Sequence, residues 1–304
     1  MGIKGSQSKK KPKNKYFLEN IASKSFLTIT LISIISLLVI MFFIFFTSTE
    51  FFKDYGLIEF VTGSKWKPTN NPSLYGILPM IAASFMVTLG AIVLGLPIGL
   101  GTAIFMAYFC PDKIYKPLKS VINLMSGIPS IVFGLFWLMT IVPLVRKLQI
   151  NIYGSGDGLT AFTAMTLLAV MILPTIIGLS ETSIRSVPKS IYQGALAVGA
   201  SHERAVLTTV VPAAKSGIFA SLILGIGRAI GETMAVVMVA GNQPRIPKGI
   251  FTGLRTMTAN IVLEMNYAAG DHKKALIATG AVLFVFILIL NLAFNLVYSK
   301  GDKD

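Results

Sequence analysis

Apolar residues in this chain come in long unbroken runs, not at the alternating or helical spacing of a half-buried strand or helix. Runs near 26–46, 77–109, 118–143, 160–180, 216–240 and 275–298 are separated by polar segments. Each reaches the roughly 20 residues that a helix needs to cross about 30 Å of hydrocarbon. A backbone in lipid must satisfy its own N–H and C=O groups, so the pattern predicts six spans and an all-α integral membrane protein. The run 77–109 is too long for one straight crossing and holds Pro79 and Pro97, which predicts an interfacial entry at "YGILP" followed by a kinked helix.

Composition agrees with the pattern. Of 304 residues, 54% are hydrophobic and 13% charged, with mean hydropathy +0.73, against about 25% charged in a soluble domain. The net charge of +14 raises a nucleic-acid partner, but most of the 27 basic residues flank spans. The "KKKPKNK" run reads as a topology signal and a contact for anionic lipid, because no aromatic-lined groove accompanies it. "MGIKGS" fits a myristoylation pattern, yet one acyl chain adds little to a polytopic protein. The run 26–46 exceeds the roughly 7–15 residues of a signal-peptide core and lacks a small-x-small cleavage site, so it reads as a retained span. Cys110 is the one cysteine, so no internal disulfide forms, and His202 and His272 have no ligand cluster near them, which leaves metal catalysis without support.

The loops differ in charge. With the N-terminus inside, sixteen lysines and arginines fall in cytoplasmic segments, including Lys113, Lys116, Lys119, Arg185, Lys189 and Lys215. Ten fall outside, including Lys65, Lys67, Arg245, Arg255 and Lys274, and Arg228 lies within a span. The imbalance puts both termini in the cytoplasm. The chain then divides into a basic tail 1–25, a six-span domain 26–298 with exterior loops 47–74 and 241–274, a cytoplasmic loop 190–213, and a tail 299–304.

Two features carry candidate chemistry. Arg228 lies midway between Lys215 and Asn242, so at about 1.5 Å per residue it is near mid-membrane, with Glu232 expected one turn further out on the same helix. A charge at that depth costs at least about 2.5–3.5 kcal/mol and is a functional candidate by default. A guanidinium offers paired donors to an oxyanion, and Glu232 would weaken that binding enough for release. The alternative is a self-neutralised pair at i and i+4. Gly225, Gly227 and Gly231 thin the same helix, for a narrow passage or for close helix packing. Thr88, Ser126 and Ser130 are neutral donors along such a path. The second feature is the loop 190–217, where small residues can form a short helix over 193–200, ended by Gly199, before a second helical piece over 206–211 and Pro212 at a fresh helix start.

That loop resembles the EAA loop of ABC importer permeases: Glu-Ala-Ala, three residues, Gly, nine residues, Ile, one residue, Leu-Pro. Gly199 and Pro212 have the required spacing, and Ala195 and Ala197 fit the small-residue helix. Gln193 replaces the glutamate, Gly194 the first alanine, Thr209 the isoleucine and Val211 the leucine, which puts a specific role for the family's glutamate in doubt. With "TGSKWKPTNNPSLYGILP", "SGIPSIVFGL", "ETSIRSVPKSIYQGALAVGA" and "GRAIGETMAVVMVAGN", the chain from about 27 to 298 resembles PstC-type permeases of bacterial phosphate-specific ABC importers. The resemblance implies a type I ABC importer permease (MetI-like) fold and phosphate transport. It also implies a PstA-like sister permease, a PstB-like ATPase dimer carrying ATP and Mg, and a PstS-like phosphate-binding protein outside. The 190–213 loop would be the coupling helix. No G-x-x-x-x-G-K-[ST] loop is present, so this chain is expected to hydrolyse no ATP and to hold no cofactor. Permeases for molybdate, sulfate or phosphonate share the loop. A secondary anion carrier with Glu232 as proton relay is the more distant rival, since no inverted repeat is evident.

Overall fold

The computed structural model describes residues 13–300. Residues 1–12, about half of the expected basic tail with the myristoylation pattern and the start of the "KKKPKNK" run, and 301–304 lie outside the described residues. The chain begins with α1 (Lys13–Tyr55), so 13–25, expected as tail, is already helical. A short α2 (Leu57–Thr62) follows a turn at Gly56, whose φ of 91° favours glycine. Two-residue strands β1 (Trp66–Lys67) and β2 (Leu74–Tyr75) then pair antiparallel, Trp66 opposite Tyr75. Gly63 and Gly76 meet at the base of this hairpin, where a Cβ on Gly76 would lie 2.4 Å from the Gly63 carbonyl.

α3 (Leu78–Ile104) starts with Pro79 in its first turn, as its missing N–H allows, continues unbroken through Pro97, and ends in a π-helical turn, Phe105–Phe109. The expected interfacial entry is therefore a β strand and a glycine turn. The third expected span, 118–143, is two helices: α4 (Asp112–Gly127) and α5 (Ser130–Tyr153). The "SGIPS" stretch is the break, not helix interior, because proline pushes the residue before it out of the α region and Ile128 is extended at ψ 126°.

α6 (Ala161–Arg185) is capped by Thr160, whose hydroxyl accepts from Thr163 N–H. It is followed by α7 (Lys189–Ala197), α8 (His202–Ala205), a second π turn (Val206–Val210) and α9 (Val211–Ala213). α10 (Lys215–Gly231) leaves Ala214 at 68° to the preceding helical segment. The fifth expected span, 216–240, stops at Gly231; Glu232 is extended, ψ 133°, and α11 (Met234–Val239) begins afresh. α12 (Met257–Glu264) and α13 (Gly270–Lys300) complete the chain.

Among the described residues, five helices are long and apolar enough to cross a membrane: α1, α3 with its π turn, α5, α6 and α13. The bent pair His202–Ala213 and α10 makes a sixth. α6 is the most buried of these and forms the axis of the fold. Gly90, Gly95 and Gly99 bring α3 onto it at Met165, Ile172 and Ile176, and Gly225 brings α10 onto Ile176. By contrast α1 exposes Phe26, Leu31, Ile35 and Phe42, the surface of a helix that faces hydrocarbon. Phe51 near the end of α1 and Leu276 near the start of α13 join Phe60, Trp66, Tyr75 and Met257 in a separate buried cluster at the hairpin.

Candidate translocation site

Ala161 N–H donates to Thr252 O and Phe162 N–H to Ile250 O, which places the 241–256 segment over the start of α6. The other end of α6 carries Glu181 and Arg185. Arg228 and Thr175 face each other between these ends: Arg228 Nη1 donates to Thr175 Oγ1 at 3.3 Å. The end of α10 at Gly231 puts Arg228 in a last helical turn, where unpaired carbonyls favour a cation.

The same break removes Glu232 from the helix face it was expected to share with Arg228. The Glu232 carboxylate accepts from Ala235 N–H at 3.2 Å, and its carbonyl from Thr258 Oγ1 at 3.1 Å. Arg228 and Glu232 form no ion pair among the described residues. The self-neutralised i,i+4 pair is therefore corrected: an i,i+4 face needs continuous helix, and Glu232 is extended.

Thr88 and Glu232 line one crevice with Ser84 and Thr256, too narrow to hold a water molecule. Gly134 approaches Ala235, which brings the first turns of α5 beside α11. Ser130 begins α5 there. Ser126 is exposed at the end of α4 and spends its hydrogen on Ile122 O at 3.3 Å. No hydrogen bond joins Ser126 or Ser130 to Arg228 or Glu232 among the described residues. Of the three glycines, Gly225 packs against α6, whereas a Cβ on Gly227 or Gly231 would meet no other element within 4 Å; their expected packing has no partner among the described residues.

The loop 190–213 holds an exposed helix. No residue of α7 is buried, and Gln193, Gly194 and Ala197 are all exposed. Gly199, at φ 88°, ends it: Gly199 N–H donates to Leu196 O at 3.0 Å and Ala200 N–H to Ala195 O at 3.1 Å. These are the paired bonds of a Schellman cap, which needs a left-handed residue. Val198 just before it is 86% exposed. Pro212 lies within α9, and the fresh start comes at Lys215, three residues later than expected.

Two charged hubs were not anticipated. Buried Glu181 accepts from Tyr115 Oη at 2.7 Å, Lys119 Nζ at 2.6 Å and Arg185 Nε at 2.9 Å, and Arg185 Nη2 donates on to Met106 O at 2.6 Å. This hub ties α4 and the end of α3 to α6. Its local signal was present in the i,i+4 spacing of Glu181 with Arg185 and of Tyr115 with Lys119. At the other end, Glu264 accepts from Trp66 Nε1 at 2.9 Å, His272 Nε2 at 2.8 Å and Arg255 Nη1. Burial, with the Glu264 charge beside it, pushes the Tyr267 phenol above its ordinary range. Trp66 and Glu264 are 198 positions apart, so no local spacing could pair them.

A family model described as "Binding-protein-dependent transport system inner membrane component" matches residues 95–301. The chain is 37% identical over 239 residues to the probable ABC transporter permease protein YqgH of Bacillus subtilis, covering 77% of this chain and 76% of that one. It is 31% identical over 248 residues to the phosphate transport system permease protein PstC of Mesorhizobium japonicum, covering 76% and 75%. Against PstC of Haemophilus influenzae the figures are 29% over 307 residues, 95% and 96%. Among solved structures, an inward-facing MetNI methionine ABC transporter chain shares the fold, with TM-score 0.54, 17% identity, and 73% of this chain and 96% of that chain covered. A model match over more than half the length, and relatives of this identity and coverage, place the chain: it belongs to the family of binding-protein-dependent transport system inner membrane components.

Proposed function

We propose that this chain is a permease subunit of an ABC importer that carries inorganic phosphate into the cell. Its partners are a PstA-like sister permease, a PstB-like ATPase dimer that binds ATP and Mg, and a PstS-like phosphate-binding protein outside. Both termini face the cytoplasm. The observation that carries this reading is Arg228: a cation at mid-membrane depth, without a carboxylate partner among the described residues, beside glycines open to a neighbour. Such a charge costs too much to be retained facing lipid, and its planar donors match a tetrahedral oxyanion.

α7 supplies the coupling surface. It is tied to the body of the permease through Tyr192, whose ring meets that of Tyr108 at 5.3 Å between centroids and whose hydroxyl meets His202 Nδ1 at 2.7 Å. ATP binding draws the ATPases together, moves α7 and opens the passage outward; hydrolysis resets it. Glu232 is held by Ala235 in this arrangement and competes for Arg228 once the 231–233 break rearranges, which keeps the site from becoming a trap. Gly227 and Gly231 lie where the sister permease closes the passage. Thr88 and Ser130 are the neutral donors on its walls, whereas Ser126 gives its hydrogen to Ile122 O. Co-purification of this chain from native membranes tests the assembly: it brings down an ATPase and a second permease. A chain that purifies alone and still moves anion in vesicles would instead be a secondary carrier.

A further inference from the structure

Hydroxyls inside these helices mostly spend their hydrogen on their own backbone. On α6, Thr182 donates to Gly178 O and Ser183 to Leu179 O, each 2.8 Å away; Thr102 on α3 and Thr140 on α5 do the same. Such a hydroxyl has only lone pairs left for a ligand. Thr175 differs: it accepts from Arg228, and its hydrogen goes to no acceptor among the described residues. A threonine that accepts from a guanidinium points its own O–H away from that cation. The donors left on Arg228 and this O–H then serve one acceptor-rich ligand.

The glycine positions beside the pair are uncrowded. Gly178, one turn below Thr175, and Gly227 and Gly231, beside Arg228, would each carry a Cβ with nothing of this chain within 4 Å. Both Thr175 and Arg228 are half-buried, so they are accessible without facing away from the bundle. An oxyanion is acceptor-rich and anionic, and needs both kinds of donor.

We propose that Thr175 is a direct ligand of the transported anion and forms a two-element oxyanion site with Arg228. This rests on the reading that Arg228 lies on the anion path. The site binds through a charged donor and a neutral one, so the anion is held in place without a second positive charge to retain it.

The test compares Thr175→Val, which keeps the shape and removes the O–H, with Thr175→Ser, which keeps the O–H. The whole importer is placed in vesicles at matched membrane levels, and both phosphate uptake and ATP hydrolysis stimulated by the loaded binding protein are measured. Loss of a hydrogen bond to a charged ligand predicts an uptake about tenfold lower for Thr175→Val, with hydrolysis still stimulated, and Thr175→Ser within about twofold of wild type. Wild-type uptake by Thr175→Val would overturn the proposal. So would equal loss of uptake and hydrolysis in both variants, which marks a packing role. If the wild-type vesicles accumulate sulfate or molybdate and not phosphate, the substrate assignment fails while the site is judged by the same comparison with that anion. If they accumulate no oxyanion, both fall.

Discussion

Replacing Gly199 tests α7, the proposed coupling helix, apart from the rest of the structure. A Cβ at this position meets nothing within 4 Å, so the effect of Gly199→Ala is confined to the backbone, held at φ 88°. An L-residue in the left-handed region costs about 1–2 kcal/mol. That is a factor of about 5–30 in a two-state population. α7 has no buried residue to hold it if the cap weakens, so the strain falls on the Gly199 to Leu196 and Ala200 to Ala195 bonds. Hydrogen exchange across 189–200 should accelerate by about that factor in Gly199→Ala, and further in Gly199→Val, whose branched Cβ is poorly tolerated at positive φ. Gly199→Asn should lie closest to wild type, because asparagine visits this region. ATP-driven uptake should fall in the same order while the protein still reaches the membrane. Exchange and uptake that are the same for glycine, valine and asparagine would refute a role for the cap, and unchanged uptake together with unchanged association with the ATPase would remove this loop from the mechanism.

At the opposite end, Glu264→Ala leaves Arg255 buried without its carboxylate. Breaking a buried pair from one side costs about 3–5 kcal/mol, so the unfolding temperature should drop and the emission of Trp66 should shift, since its indole N–H loses its acceptor. The double replacement Arg255→Met with Glu264→Met should recover much of the loss; no recovery would show that the two do not act as a pair. With Cys110 replaced by serine, a cysteine at Lys65 should react with an impermeant reagent from outside and one at Lys189 only from the cytoplasm. Reversed labelling would overturn the orientation and the partner assignment together.

The membrane class, the approximate spans and the cap at Gly199 were legible because each is a local pattern: a long apolar run, or a glycine after small residues. The two helix breaks were harder. At Ile128 a proline signalled the end of the α region, but the surrounding residues are apolar enough to read as one span. At Glu232 no proline marks the break. It depends on the Thr258 hydroxyl reaching the Glu232 carbonyl from the far side of a long loop, and on a carboxylate that caps α11. The partner of Arg228 was missed for a related reason: Thr175 lies on another helix, 53 positions away, and periodicity within one helix suggested Glu232 instead. Depth in the membrane was readable from counting residues; which helices meet at that depth was not.

Uptake of radiolabelled phosphate into vesicles that hold the whole importer tests the central claim most directly. The comparison is wild type, Arg228→Ala, Arg228→Lys and the double replacement Arg228→Met with Glu232→Gln. ATP-dependent accumulation is predicted for wild type, loss for Arg228→Ala, and only partial recovery for Arg228→Lys, because an ammonium lacks the paired donors of a guanidinium. The double replacement should also fail. Near-normal transport by it would contradict the account and leave Arg228 as a packing residue.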